Sequence, residues 1–253
     1  MGALHAGHLS LVRRARREND VTVASIFVNP LQFGPNEDFH KYPRDPKKDA
    51  RLLKGLCDVL FLPSPRVFIP KDFKTTVVVK DVSAPLCGGS RPGHFTGVAT
   101  IVAKLLLAVA PDRMYLGQKD AQQAVVIKKM VQDLNFPVDV VVCPIVREKD
   151  GLAMSSRNAY LTAQERRRAL VLYQAIKSAQ RLVAKGVREA ARIIQALEDL
   201  IHRVPETRID YIEVVDPKTL EPVRTITARA LLALAVYVGE TRLIDNTILR
   251  VRP

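Results

Sequence analysis

Tryptophan is absent from the 253 residues, and phenylalanine and tyrosine bring the aromatic share to only 6%. Platforms that stack single-stranded nucleic acid are built from exposed aromatics, so that class of surface has little material here. Cysteine is scarce: Cys57, Cys87 and Cys143 are far apart, odd in number and without CxxC spacing. This argues against a disulfide framework or a cysteine zinc site and suits a reduced, cytoplasmic protein. No apolar run approaches the roughly 20 residues that span a bilayer; the longest candidate, residues 98–110, is interrupted by Lys104. The opening MGALHAGHLS has no basic segment followed by a long apolar stretch, so no secretory pattern is visible. Acidic residues are the minority, 26 against 39 Lys and Arg, for a net charge of +13. Such an excess invites a nucleic-acid reading. Its clusters (Arg13-Arg14, Lys47-Lys48, Lys128-Lys129, Arg166-Arg167-Arg168) are scattered and not interleaved with aromatics. The charge is better read as solvated helix faces plus a site for a small polyanion.

The remaining composition, 47% hydrophobic and 26% charged, is that of a globular chain. Residues 21–28 (VTVASIFV) are β-branched and nearly all apolar, the pattern of a strand covered on both faces. Residues 45–56 read as a helix with Leu52, Leu53 and Leu56 on one side. Residues 58–62 (DVLFL) and 75–80 (TTVVVK) read as strands, 96–109 as an apolar helix, and 113–116 (RMYL) as a strand. A helix over 120–134 with Asp120 as N-cap and a strand over 138–142 complete the series. Strands alternating with such helices predict a mostly parallel α/β sheet. The second half changes character. Thr162-Ala-Gln-Glu165 has the spacing of a capping box, and Gly186 breaks the helical stretch. A second helix places Val187, Ala191, Ile194, Leu197, Ile201 and Val204 on one face. Strands over 208–215, 231–238 and 242–249 follow. Helices followed by strands predict a smaller α+β domain, with the boundary at residues 149–151.

Four segments carry chemistry. In Met1–His8 two histidines stand three apart before a helix-like run. A small-residue turn opening a helix suits phosphate, and histidines there can donate as charge develops; they can equally be capping residues. Gly117-Gln-Lys-Asp-Ala-Gln-Gln123 lies where a strand passes into a helix, the usual ligand position in open α/β sheets. Lys119 there is a point charge for phosphate, and Gln123 follows about one helical turn later. Leu152-Ala-Met-Ser-Ser-Arg-Asn158, at the domain boundary, offers hydroxyl and guanidinium donors. Asn29-Pro-Leu-Gln-Phe-Gly34, after the first strand, offers amides for a neutral or hydroxylated substrate.

These segments occur in order with YPR (42–44), RPGHFTGV, PIVRE, DGLAMSSRNAYL and TRLIDN, and together they resemble the pantoate–β-alanine ligase (AMP-forming) family across nearly the whole chain. MGALHAGH is similar to the HIGH-type motif of the nucleotidyltransferase superfamily, and MSSR to its KMSKS-type loop. The resemblance implies a Rossmann-like parallel-sheet domain (1–149) that binds ATP and pantoate, a C-terminal α+β lid domain (150–253), and a homodimer. It implies adenylation of pantoate with ATP and Mg²⁺, then attack by β-alanine to give pantothenate and AMP. Met1, Gly2, His5, Gly7 and His8 would line the ATP site, with His8 the proton donor and His5 a phosphate holder. Gly117, Lys119 and Asp120 would contact ATP, and Val146 would meet the adenine through its backbone. Met154, Ser155, Ser156 and Arg157 would close over the phosphates. Gln32 and Gln123 would bind pantoate, and Mg²⁺ would be held mainly by the phosphates. No nucleic acid or membrane partner is implied.

The family commonly has Glu at the position of Gln118 and an aromatic at that of Ala121, differences expected to tune activity. It also has a further strand before the MGALH segment, so a start upstream of Met1 is expected. Two other readings remain: a different HIGH-motif nucleotidyltransferase that stops at an adenylylated product, and a basic RNA-binding module.

Overall fold

Local chemistry sets where the elements of the first half begin and end. In the computed structural model, which describes residues 2–35 and 37–251, helix α1 (Ala6–Glu18) opens on His5 and carries Arg16 and Arg17 in its last turn. Cations there face the negative end of the helix dipole. Strand β1 (Val23–Ser25) leads to a 3-10 turn at Pro30–Gln32, capped by the Asn29 side chain. Helix α2 (Pro46–Leu53) has Asp45 as N-cap and a proline at its first position, where a missing N–H is no loss. Strand β2 (Val59–Phe61) and the single-turn helices α3 (Pro65–Phe68) and α4 (Cys87–Ser90) follow. Helix α5 (His94–Val109) starts after Gly93 and stops at Ala110, both left-handed, just before Pro111. Strand β3 (Arg113–Gly117), a 3-10 turn at Gln118–Asp120, helix α6 (Ala121–Asp133) and strand β4 (Asp139–Cys143) complete this half.

The second half runs through a 3-10 turn at Ser156–Tyr160 and helices α7 (Ala163–Arg168), α8 (Leu170–Ala184) and α9 (Ala190–His202). The Thr162–Glu165 capping box opens α7. Strands β5 (Thr207–Val215), β6 (Arg229–Val238) and β7 (Thr241–Arg250) form an antiparallel sheet in sequence order. The whole is a mixed α/β fold, parallel pairs first and an antiparallel sheet last.

Several expectations change. The parallel strands form two separate pairs, β1–β2 and β3–β4, among the described residues. A groove lined by β1, β3, α1 and α5 runs between them into the main cavity. Strand β1 is therefore shorter than residues 21–28, and Val21, 64% exposed, faces this groove rather than a second layer. Residues 75–80 are extended but join no ladder: Val77 N–H donates to Thr100 Oγ1 at 2.9 Å, while Val79 is buried and Val78 faces out. Alternation alone cannot distinguish a strand from an extended segment lying on a helix. In α9 the buried face is Ala190, Ile193, Leu197 and Ile201, with Ala191 exposed. The phase differs because Glu189 still bridges Thr225, so the helix starts later than Val187. Asp120 occupies an N-cap position but makes no capping bond, because residues 118–120 form their own turn.

Three apolar cores result. One packs α8 and α9 on β5–β7, one packs α5 and α6 on β3 and β4, and a small one joins α1, β1 and α2. Strand β6 serves two of them: Leu232, Leu234, Val236 and Val238 enter the first, Leu231 and Ala233 the second. Among the described residues no helix is long and apolar enough to cross a membrane.

The start of α5 presses on the Pro30–Gln32 turn. A Cβ on Gly97 would lie 2.1 Å from the Leu31 carbonyl oxygen, a backbone atom that has nowhere to go. Gly97→Ala is therefore expected to destabilise the protein by roughly 1–3 kcal/mol, the usual range for overpacking, read as a lower denaturant midpoint at an unchanged slope.

Candidate active site

Helix α1 is held at its start by its own histidines. The Gly7 N–H donates to His5 Nδ1 at 3.2 Å and the His5 N–H to His8 Nδ1 at 3.4 Å, a reciprocal capping box. Their ring centroids are 4.0 Å apart. Each Nδ1 is an acceptor, so the neutral rings carry their protons on Nε2. Burial and then Lys119 lower the pKa of His5. Burial and then His5 push His8 down to about 3. Both rings are thus neutral at physiological pH. The capping and the functional readings of the pair coexist: the box uses Nδ1 and leaves Nε2. Just before it, the buried Asp49 of α2 accepts from Ala3 N–H at 3.0 Å and Leu4 N–H at 2.8 Å, pinning the segment. Gly7 lies against Met154, whose Cβ would be 3.6 Å from any Cβ added there.

All the described residues singled out for the site (Gly2, His5, Gly7, His8, Gln32, Gly117, Lys119, Asp120, Gln123, Val146, Met154, Ser155, Ser156 and Arg157) line one cavity of about 2280 Å³. Met1 lies outside the described residues. The volume exceeds the roughly 300–1,000 Å³ of ordinary small-molecule pockets, enough for a nucleotide together with a second substrate and for the groove beside β1. The turn carrying Lys119 is held by Asn246 of β7, whose Nδ2 donates to the carbonyls of Gln118 and Lys119, each at 2.9 Å. Lys119 Nζ is 3.8 Å from Asp120, a loose pairing that leaves it available to an anion. Gln122 and Gln123 divide their work. Gln122 is buried and bonds Val82 and Pro85 carbonyls and Cys87 N–H, whereas Gln123 faces the cavity.

The 154–158 segment is fastened on both sides. Met154 N–H donates to Val146 O at 3.0 Å, tying the segment to the stretch after β4 that carries Val146. Arg157 grips Asp38 through Nε at 3.0 Å and Nη2 at 2.8 Å, and Ser156 Oγ meets Tyr42 OH at 3.0 Å. Asn158 ties the segment to Glu148 at 2.7 Å.

Sequence reasoning assigned no role to Asp38, Arg91, His94, Asp245 or Asn246. Asp245, 2% exposed, takes Arg147 in a bidentate pair at 2.6 and 2.9 Å. Arg91 and His94 both donate to the Gln32 carbonyl. Their signal was present in RPGHFTGV and TRLIDN, but only the fold shows what they reach. Among the described residues no group of three or more His, Cys, Asp or Glu converges on a point that would hold a metal.

Residues 1–248 match the family model described as pantoate-beta-alanine ligase. The pantothenate synthetase of Caldicellulosiruptor saccharolyticus is 56% identical over 252 residues, spanning 99% of this chain and 90% of that protein. That of Thermotoga neapolitana is 57% identical over 250 residues, 98% of this chain and 89% of that one. The crystal structure of pantothenate synthetase from Thermus thermophilus superposes with a TM-score of 0.95 at 50% identity, covering 100% of this chain and 91% of that one. Pantoate-beta-alanine ligase from Francisella tularensis, solved with beta-gamma ATP and beta-alanine, gives a TM-score of 0.80 at 36% identity, covering 98% and 87%.

The neutral histidines have a pH consequence for stability, as at His94, where burial and then Arg91 push the pKa from 6.5 to about 4. The folded value lies below the unfolded one, so the unfolded chain takes up the proton first. The stability His94 contributes is complete above about pH 6.5 and is lost as the pH falls, on the order of 3 kcal/mol by about pH 4. Thermal unfolding from pH 7 to 4.5 should show a falling Tm, with a shallower fall in His94→Asn.

Proposed function

The chain belongs to the pantoate-beta-alanine ligase family and condenses pantoate with β-alanine in an ATP-dependent reaction; from that premise we propose how its residues divide the work. The pantoate carboxylate attacks the α-phosphate of ATP, pyrophosphate leaves, and the acyl-adenylate forms. The β-alanine amine then attacks the acyl carbon and expels AMP. A carboxylate is a poor electrophile, and the adenylate supplies its leaving group, so no enzyme nucleophile is required.

The observation that carries this reading is the pair of neutral imidazoles at the start of α1, with Nδ1 engaged in capping and Lys119 among the charges acting on both rings. The Nε2–H groups are donors for phosphate oxygens as charge builds on pyrophosphate. The His8 ring donates from Nε2 while its Nδ1 stays in the bond from the His5 N–H, so it serves the phosphates as a neutral donor. Lys119, Ser155, Ser156 and Arg157 add donors to the same phosphates, with Gly2, Gly7, Gly117, Met154 and Asp120 around them. The Val146 N–H faces the adenine, and Gln32 and Gln123 hold pantoate. Residues 150–253 act as the lid on 1–149.

Mg²⁺ belongs to this reading as an ion arriving on the nucleotide. The donor set fits that role: Asp38 is taken by Arg157, and Asp120, only loosely paired with Lys119, would be a carboxylate available to an ion held mainly by the phosphates. When bound, Mg²⁺ neutralises charge on the phosphates. A homodimer in the cytoplasm completes the reading; the three free cysteines support the reducing compartment. The other nucleotidyltransferase and the RNA-binding module are not favoured, because relatives matching nearly the whole chain are pantothenate synthetases.

Product analysis by mass spectrometry tests the reading: pantothenate and AMP are expected only when ATP, Mg²⁺, pantoate and β-alanine are all present. His8→Ala should lower turnover by about 10² or more, as loss of a transition-state donor does; near-normal kcat would remove its role. Gln123→Ala should raise the KM for pantoate and leave that for ATP nearly unchanged, and equal damage to both would contradict its assignment.

A further inference from the structure

Gln32 is held at three points. Its carbonyl accepts from His94 Nδ1 at 2.8 Å and from Arg91 Nη2 at 3.2 Å. Its side-chain Oε1 accepts from Asn29 Nδ2 at 3.2 Å, which leaves the Gln32 amide NH2 to face the cavity. Asn29 is itself buried and locked, donating to Gly97 O at 3.0 Å and accepting from Leu31 N–H at 3.0 Å.

Behind the carbonyl lies a chain of polar groups. Glu37 holds the Arg91 guanidinium, with Nε to Oε1 at 2.8 Å and a second contact through Nη2. Arg91 Nη1 stands 3.3 Å from His94 Nε2. Arginine has only donors, so His94 Nε2 is the acceptor and the ring proton sits on Nδ1, aimed at Gln32. This is the opposite tautomer from His5 and His8, and it is set by the partners on each side. His94 is 9% exposed, and its proton has one destination, the Gln32 carbonyl.

We propose that Glu37, Arg91 and His94 are positioning residues for pantoate, acting through Gln32 by fixing its backbone so that its amide NH2 meets the substrate's oxygen atoms. The inference rests on the reading of Gln32 as a pantoate ligand. The Glu37 carboxylate neutralises Arg91, so the cluster sets geometry at the pocket wall without adding a net charge to it. The relay also explains why RPGHFTGV opens α5 where it does. The Gly97 approach brings the helix onto the turn, and Arg91 and His94, before and at the helix start, then reach the Gln32 carbonyl.

The experiment is a kinetic cycle on the full chain with pantoate, ATP and β-alanine each varied. His94→Phe removes the donor and should raise the KM for pantoate about tenfold, the scale of one lost hydrogen-bonding group, with the KM for ATP unchanged. His94→Asn, which keeps an N–H near the Nδ1 position, should recover most of the loss. Gln32→Ala should raise the KM for pantoate by itself, and His94→Phe added to it should cause no further rise. Glu37→Gln, which leaves the His94–Gln32 bond but loosens Arg91, is the milder variant if His94→Phe does not fold, and its effect should vanish in the Gln32→Ala background as well. Additive losses in the double variant, or a His94→Asn as poor as His94→Phe, would overturn the positioning role and leave the Gln32 assignment intact. A Gln32→Ala with normal KM for pantoate would overturn that assignment and this inference with it.

Discussion

Strand β6 is buried on both faces, and the rest of the molecule is arranged around that. Its alternate residues enter two different cores, one with α8 and α9 and one with α5 and α6. A fully buried Leu or Val contributes about 1.5–3 kcal/mol, and several such side chains outweigh the roughly 1 kcal/mol of any single hydrogen bond. Apolar burial therefore joins the two halves of the chain. Strand β7 pairs with β6 along its whole length and so arrives beside the cavity in a fixed register. Asp245 then meets Arg147 and Asn246 meets the turn carrying Lys119. Apolar contacts supply the strength of the junction, and these polar contacts aim it.

The net charge of the chain is strongly positive, yet the cavity wall is mostly neutralised. Arg157 is paired with Asp38, Arg91 with Glu37 and Arg147 with Asp245. His5, His8 and His94 are held uncharged by burial and by nearby groups. Lys119 has only a loose partner. Neutral imidazoles limit repulsion between donors crowded at one helix end, and they still present N–H groups to an arriving polyanion. The two tautomers in one cavity follow from which nitrogen each neighbour occupies. Capping takes Nδ1 in α1, and an arginine takes Nε2 at the start of α5.

Much of this was legible in the residue order. The capping box at Thr162, the apolar helix that ends before Pro111, the three late strands and the cavity residues around His5, Lys119 and Arg157 all rest on short-range chemistry: caps, periodicity and spacing along one element. The same rules failed where a longer-range contact decided. Residues 75–80 alternate like a strand, but their partner is a helix hydroxyl. Residues 187–191 have helical spacing, but a bridge to Thr225 delays the helix and turns Ala191 outward.

The alternation of elements, their caps and the kinds of donor offered to a ligand follow from residue order, because each depends on neighbours within a turn or a strand. Which donors converge, which carboxylate silences which arginine, and which nitrogen each histidine presents emerge only in the folded chain. Arg157 is 119 positions from Asp38, Arg147 is 98 from Asp245, and Arg91 is 54 from Glu37. Such pairs form only once apolar packing has brought distant segments together, since no local preference encodes a partner so far along the chain.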